Sequence, residues 1–132
     1  MVAGVRAVRA VRGATTVPAD EPSLIRSATR ELLLEIVERN GIDADDLISA
    51  FFTVTGDLTS EFPAIAAREL GWTDVPLLCA LEIPVRDALP RCIRVLLHVD
   101  APRNRARMRH VYQRGAVGLR PDLAASAAEE RA

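Results

Sequence analysis

Residues 92–99 read CIRVLLHV, an apolar run interrupted by one guanidinium, that of Arg94. Its length and its aliphatic, β-branched content predict a strand. A second run, LISAFFTV at 47–54, is continuously apolar and predicts a strand buried on both faces or nearly so. VPLLCALE at 75–82 predicts another, closed by the lone carboxylate of Glu82. Working back to the start, the valine-rich AVRAVRG at 7–13 predicts the first strand, ending at Gly13, with ATTV leading into a loop closed by Pro18.

Between these runs the pattern turns helical. Leu24, Ile25, Ala28, Leu32, Ile36 and Val37 recur at helical spacing, with Arg26, Arg30, Glu31, Glu35 and Arg39 on the wet face. Asp20 is the expected N-cap, Pro22 lies in the first turn, and Asn40-Gly41 stops the helix. Thr55-Gly56-Asp57 predicts a turn, residues 63–70 a short helix stopped by Gly71, and 84–90 a connection. Asp100-Ala101-Pro102 reads as an N-cap and first turn, which predicts a helix over 103–111 and a last short strand near 116–119. The order β-α-β-α-β-β-α-β gives an α+β domain built on a mixed sheet with flanking helices. Its buried strands outnumber the helices that could cover them, so another copy of the chain is expected to bury the remaining faces. We expect one domain over 7–120, a ragged extension over 1–6 and a loose tail over 121–132.

The 132 residues suffice for one core, which at this size buries roughly two thirds of the unfolded surface. All 17 basic residues are arginine, so Schiff-base chemistry and any lysine base are excluded. Against 18 acids the net charge is −1, which argues against bulk nucleic-acid binding. Cys79 and Cys92 are too few for a disulfide framework and read as free thiols of a reducing compartment. His98 and His110 stand alone, without metal-ligand spacing. No apolar stretch is long enough to span a membrane. Residues 1–19 hold three arginines and no acid, but no apolar signal core follows, and we expect a cytoplasmic protein.

Four fragments place charge in apolar surroundings: RGATT at 12–16, CALE at 79–82, CIRVLL at 92–97, and RHVY at 109–112 followed by LRPD at 119–122. Burying the Arg94 guanidinium costs several kcal/mol unless an anion meets it. The anion is either Glu82, in a buried salt bridge, or a ligand whose site Glu82 helps to orient. On residue type alone Tyr112 and Cys79 read as packing.

Together these fragments resemble the monofunctional chorismate mutases of the AroH type. The resemblance rests on RGATTV (12–17), FPA (62–64) with Arg68-Glu69, Gly71-Trp72, Val75-Pro76, Cys79 with Glu82, RCIRV (91–95), RHVY (109–112) and LRPDL (119–123), co-linear from about residue 8 to residue 123. It implies rearrangement of chorismate to prephenate, a step toward phenylalanine and tyrosine. It further implies a homotrimer with a barrel-like α+β core, active sites between subunits, and no cofactor or metal. By resemblance Arg94 stabilises the ether oxygen, and Arg12 and Tyr112 grip the side-chain carboxylate. Glu82 and Cys79 meet the ring hydroxyl, with Ala80 and Leu81 beside them. Phe62, Ala64 and Leu78 line the pocket from the neighbouring subunit, and Arg68, Leu119 and Arg120 lie at its mouth, with the tail as a flap. Two residues depart from the family pattern: Ile65 stands where relatives carry a lysine, and Leu78 replaces a smaller residue. Imine or enamine hydrolases of the Rid type share trimeric α+β architecture and an interface arginine, but their signature segments are not evident. A non-enzymatic alternative is anion or RNA binding through Arg103, Arg105, Arg107 and Arg109, which on a helix form two like-charged pairs.

Overall fold

Alternation along two long strands sets the architecture. In the computed structural model, which describes residues 5–103 and 107–121, β1 (Arg6–Thr16) and β4 (Cys92–Pro102) pair antiparallel along their whole length, from Arg6 opposite Pro102 to Thr16 opposite Cys92. Val95, Leu97, Val99 and Ala101 of β4 are buried, whereas Arg94, Leu96, His98 and Asp100 alternate with them on the other face. β2 (Leu47–Val54) pairs antiparallel with β4, and β3 (Leu77–Leu81) pairs parallel with β2 at the edge. β5 (Val111–Tyr112) adds parallel to β1, so the mixed sheet runs β3-β2-β4-β1-β5.

Two helices cover one face. α1 (Pro22–Asn40) buries Ile25, Ala28, Leu32, Leu33 and Ile36, and α2 (Ala64–Glu69) buries Ala64, Ala66 and Ala67. α1 ends as expected: Gly41 takes φ 59° and returns its N–H to the Val37 carbonyl. Buried Asn40 then clasps the distant chain end, donating to the Ile36 and Arg109 carbonyls and accepting from the Arg109 N–H at 2.7 Å. α1 reaches the sheet closely because residue 13 is glycine. A Cβ there would lie 2.6 Å from Ile36 Cδ1 and 3.2 Å from both Leu32 Cδ1 and Val95 Cγ1.

The α+β class, mixed sheet and flanking helices are as the sequence predicts, and several local expectations are not. The first strand does not end at Gly13, because β1 continues through Thr16 against Cys92 and Ile93. Asp100-Ala101-Pro102 caps no helix. These residues extend β4 because Arg6, Ala7 and Val8 pair with them, and Arg6 bonds both the Asp100 carboxylate and its carbonyl. Of the expected helix over 103–111, residues 104–106 lie outside the described residues, 107–110 are non-helical and Val111 is in β5. Of the expected pairs Arg103–Arg107 and Arg105–Arg109, Arg105 lies outside the described residues, and neither Arg107 nor Arg109 is in a helix. Residues 116–119 belong to a 3-10 helix, Arg114–Leu119, and the last strand falls earlier, at Val111–Tyr112. β2 is covered on one face only: Ala50 and Phe52 are buried, but Ile48 and Phe51 are exposed on the side without helices. The tail over 122–132 lies outside the described residues.

Glu21, not Asp20, occupies the N-cap of α1 and makes no side-chain bond there. The Asp20 carboxylate instead accepts from the backbone N–H and hydroxyl groups of Thr59 and Ser60. These bonds, led by the Ser60 hydroxyl, hold its pKa below the ordinary value.

Two predictions follow from this packing. Gly13→Ala forces Leu32, Ile36 and Val95 apart and destabilises by about 1–3 kcal/mol, read by urea unfolding. Asp20 stabilises fully above its unfolded pKa of 3.8 and loses that contribution as pH falls through its lower folded value. The stability gap between wild type and Asp20→Ala is therefore constant from pH 6 to about pH 4 and narrows only as pH falls below 3.8; a gap that stays constant into stronger acid contradicts the assignment.

Candidate active site

On the helix-free face, β1, β2, β4 and β5 enclose a cavity of about 490 Å³, within the range of small-molecule sites. Arg94 sits mid-sheet, opposite Ala14 of β1 and Thr53 of β2. Its Nε lies 3.4 Å from Glu82 Oε2, and the Thr53 hydroxyl donates to the same oxygen. The pair is not buried as the sequence suggested: the side chains are 48% and 23% exposed, because strand alternation turns Arg94 to the open face. A pair this exposed contributes only about 0–1 kcal/mol to stability. Its geometric effect is larger, since Glu82 engages Nε of a guanidinium that also lines the cavity.

Arg12, on the same face of β1, lines the cavity with Tyr112 of β5 and with Leu119 and Arg120 at the end of the 3-10 helix. No carboxylate pairs with the Arg12 guanidinium among the described residues. Its backbone N–H donates to His110 Nδ1 at 2.9 Å. Burial first, then the Arg12 and Arg120 guanidiniums, push the His110 pKa below its ordinary value, so the ring is neutral at pH 7. Three guanidiniums with one carboxylate at the edge suit a small dianion, whose carboxylates match the planar arginine fork.

Phe51, Thr53 and Leu96 also line this cavity. Sequence reasoning missed them because LISAFFTV reads as uniformly apolar. The available signal was the period of two, which pairs 51 with 53 on β2 and 94 with 96 on β4; the register then sets all four on one face. It equally missed the His110 contact, which joins segments far apart in the chain.

The remaining expected site residues gather elsewhere. α2 and β3 frame a cavity of about 300 Å³ lined by Phe62, Ala64, Arg68, Leu78 and Cys79, with Ile65 and Leu77. Phe62 is 67% and Leu78 57% exposed. The Phe62 loop is fastened through Glu61, which pairs with Arg26 at 3.0 Å. Cys79 packs against the core, opposite Phe52. Just past the end of β3, the Glu82 N–H donates to the Val54 carbonyl. Ala80 and Leu81 lie exposed on the edge strand. Cys92 is buried beside Arg94, and desolvation pushes its thiol pKa up. Among the described residues no cluster of three or more His, Cys, Asp or Glu could hold a metal ion, and no helix is long and apolar enough to cross a membrane.

Comparison with known proteins gives a consistent picture. Residues 8–123 match the family model of chorismate mutase type I. Chorismate mutase AroH of Thermus thermophilus is 56% identical over 119 residues, covering 88% of this chain and 96% of the relative. Chorismate mutase AroH of Bacillus subtilis (strain 168) is 42% identical over 117 residues, covering 88% and 92%. Among solved structures, a chorismate mutase from Clostridium thermocellum superposes with a TM-score of 0.78 at 47% identity, over 82% of this chain and 96% of that one.

Proposed function

Since the chain belongs to the chorismate mutase type I family, it isomerises chorismate to prephenate, and we propose that the arginine cavity is where it does so. The observation that carries this reading is Arg94, held through Nε by Glu82 in a cavity shared with Arg12 and Arg120.

The reaction is a unimolecular Claisen rearrangement of a dianion. One C–O bond breaks as one C–C bond forms, and no proton is transferred. Catalysis then consists of selecting the compact conformer and stabilising the charge that develops on the ether oxygen. Arg94 donates to that oxygen, and its gain is largest in the transition state, where the oxygen is most negative. Glu82 keeps the guanidinium oriented and accepts from the ring hydroxyl. Arg12 and Tyr112 hold the side-chain carboxylate, with Leu119 and Arg120 at the mouth.

Phe62, Ala64, Leu78 and Cys79 complete the pocket from a neighbouring copy, with Arg68 at the rim and Ala80 and Leu81 alongside. The assembly is a homotrimer whose sheets form a barrel-like core. Supporting this are the two separate part-sites of one chain and the exposed Ile48, Phe51, Leu78 and Leu81, with Leu81 69% exposed. An uncovered face beside an unpaired edge strand is the kind of surface a second copy buries. No cofactor takes part in the proposed route, and the setting is cytoplasmic aromatic amino acid biosynthesis.

Incubation with chorismate tests the reading through loss of its ultraviolet absorbance and appearance of prephenate. Turnover above the uncatalysed rate is expected, and its absence overturns the assignment. Arg94→Ala lowers kcat by about 3–4 kcal/mol in barrier, the effect of losing one donor to a developing oxyanion, while circular dichroism stays native. Unfolding of the variant would instead make Arg94 a structural residue.

A further inference from the structure

We propose that His110 is a positioning residue for Arg12: its imidazole, protonated on Nε2 only, supplies at Nδ1 the acceptor that fixes the Arg12 backbone and so aims its guanidinium into the cavity. The proposal rests on the reading of Arg12 as the carboxylate-binding residue.

The geometry explains why a side chain is needed here. β5 pairs with β1 only at Gly13–Val111 and Ala14–Tyr112, and the Gln113 N–H continues the ladder to the Ala14 carbonyl. One residue earlier, residues 107–110 are not in a strand, so no main-chain ladder continues to Arg12 there. The His110 ring accepts the Arg12 N–H instead, at 2.9 Å. The backbone that carries the ring is anchored one residue earlier, because Arg109 is clasped on both its N–H and its carbonyl by buried Asn40. The ring thereby couples the end of α1 to a site residue on β1.

An Nδ1 that accepts a hydrogen bond carries no proton. Protonating it would set two donors face to face and add a cation near Arg12. The charged groups acting on the ring are Arg12 from β1 and Arg120 beyond the 3-10 helix. Its own segment contributes Arg109 and Tyr112, and α1 contributes Asn40 and the Arg39 carbonyl, which Arg109 meets. Both guanidiniums, together with burial, favour the neutral ring. Arg94 and Glu82 are held by β4, β2 and the end of β3, outside this contact. Loss of the His110 bond therefore weakens carboxylate binding and raises KM, while kcat at saturation stays nearly constant.

The test is steady-state kinetics of chorismate consumption between pH 5.5 and pH 8, for the full-length wild type, His110→Leu, His110→Asn and Arg12→Ala. In the wild type KM rises toward acid pH with little change in kcat. His110→Leu raises KM roughly tenfold at pH 7.5, the scale of one backbone hydrogen bond, and removes the acid rise. His110→Asn, whose Oδ1 can accept the same N–H but does not titrate, recovers most of the loss and is flat with pH. Arg12→Ala separates the two levels of the account. If it leaves KM unchanged, the reading of Arg12 fails. If it raises KM while His110→Leu behaves as wild type, or if His110→Asn keeps the acid rise, the role of His110 is overturned. Should His110→Leu not fold, the pH profile of His110→Asn against wild type still decides.

Discussion

The antiparallel ladder between β1 and β4 is the constraint on which the rest of the molecule depends. It brings residue 12 opposite 96 and residue 14 opposite 94, and so sets two guanidiniums of distant segments on one face of one sheet. Every other site element attaches to this pair of strands. β2 adds Thr53 beside Arg94, the end of β3 adds Glu82, and β5 adds Tyr112. The ladder also sets the energetic division of the protein. Its alternate residues, Val11, Val95, Leu97 and Val99, are buried under α1 and α2, where apolar area stabilises the fold. The residues between them, Arg12, Arg94 and Leu96, face the open side and line the cavity.

Arginine without lysine first reads as compositional bias, and for exposed positions such as Arg107 nothing in the structure gives it another meaning. In the cavity it is a chemical choice. A reaction that moves no proton and forms no covalent intermediate needs no lysine, and it gains from rigid forks that meet carboxylates in the plane. Ile65 fits the same account, since it lines the second cavity with an aliphatic side chain at the position where the family resemblance implies a lysine.

The apolar runs at 47–54 and 92–99 and the helical period of 22–40 were legible because local pattern and final burial agree there. Where they parted, the partner strand won. Asp100-Ala101-Pro102 carries a helix-start signal, yet pairing with Arg6, Ala7 and Val8 holds it extended. Asp20 has a capping side chain, yet the hydroxyls and N–H groups of Thr59 and Ser60 take it. Arg12, Arg94, Tyr112, Leu119 and Arg120, which line one cavity, and Glu82, which pairs with Arg94, were singled out through a co-linear pattern of motifs, not through spacing. Thr53 and His110 were not, because strand register and a side chain completing a ladder are properties of the folded sheet. Cys79 lines the second cavity beside Leu78, a placement that follows from strand pairing with β2 and not from its motif.

The central claim is that one chain carries two complementary halves of an active site, the arginine half on β1 and β4 and the Phe62–Leu78 half on α2 and β3. Subunit mixing tests it most directly. Chains carrying Arg94→Ala and chains carrying Phe62→Asp with Leu78→Asp are each inactive in this account, because every site in either assembly has one defective half. Unfolded together and refolded as mixed oligomers, they regain activity, with about a quarter of sites intact by random assortment around a closed ring. Activity no greater than the sum of the two parents would contradict the account and put the whole site within one chain.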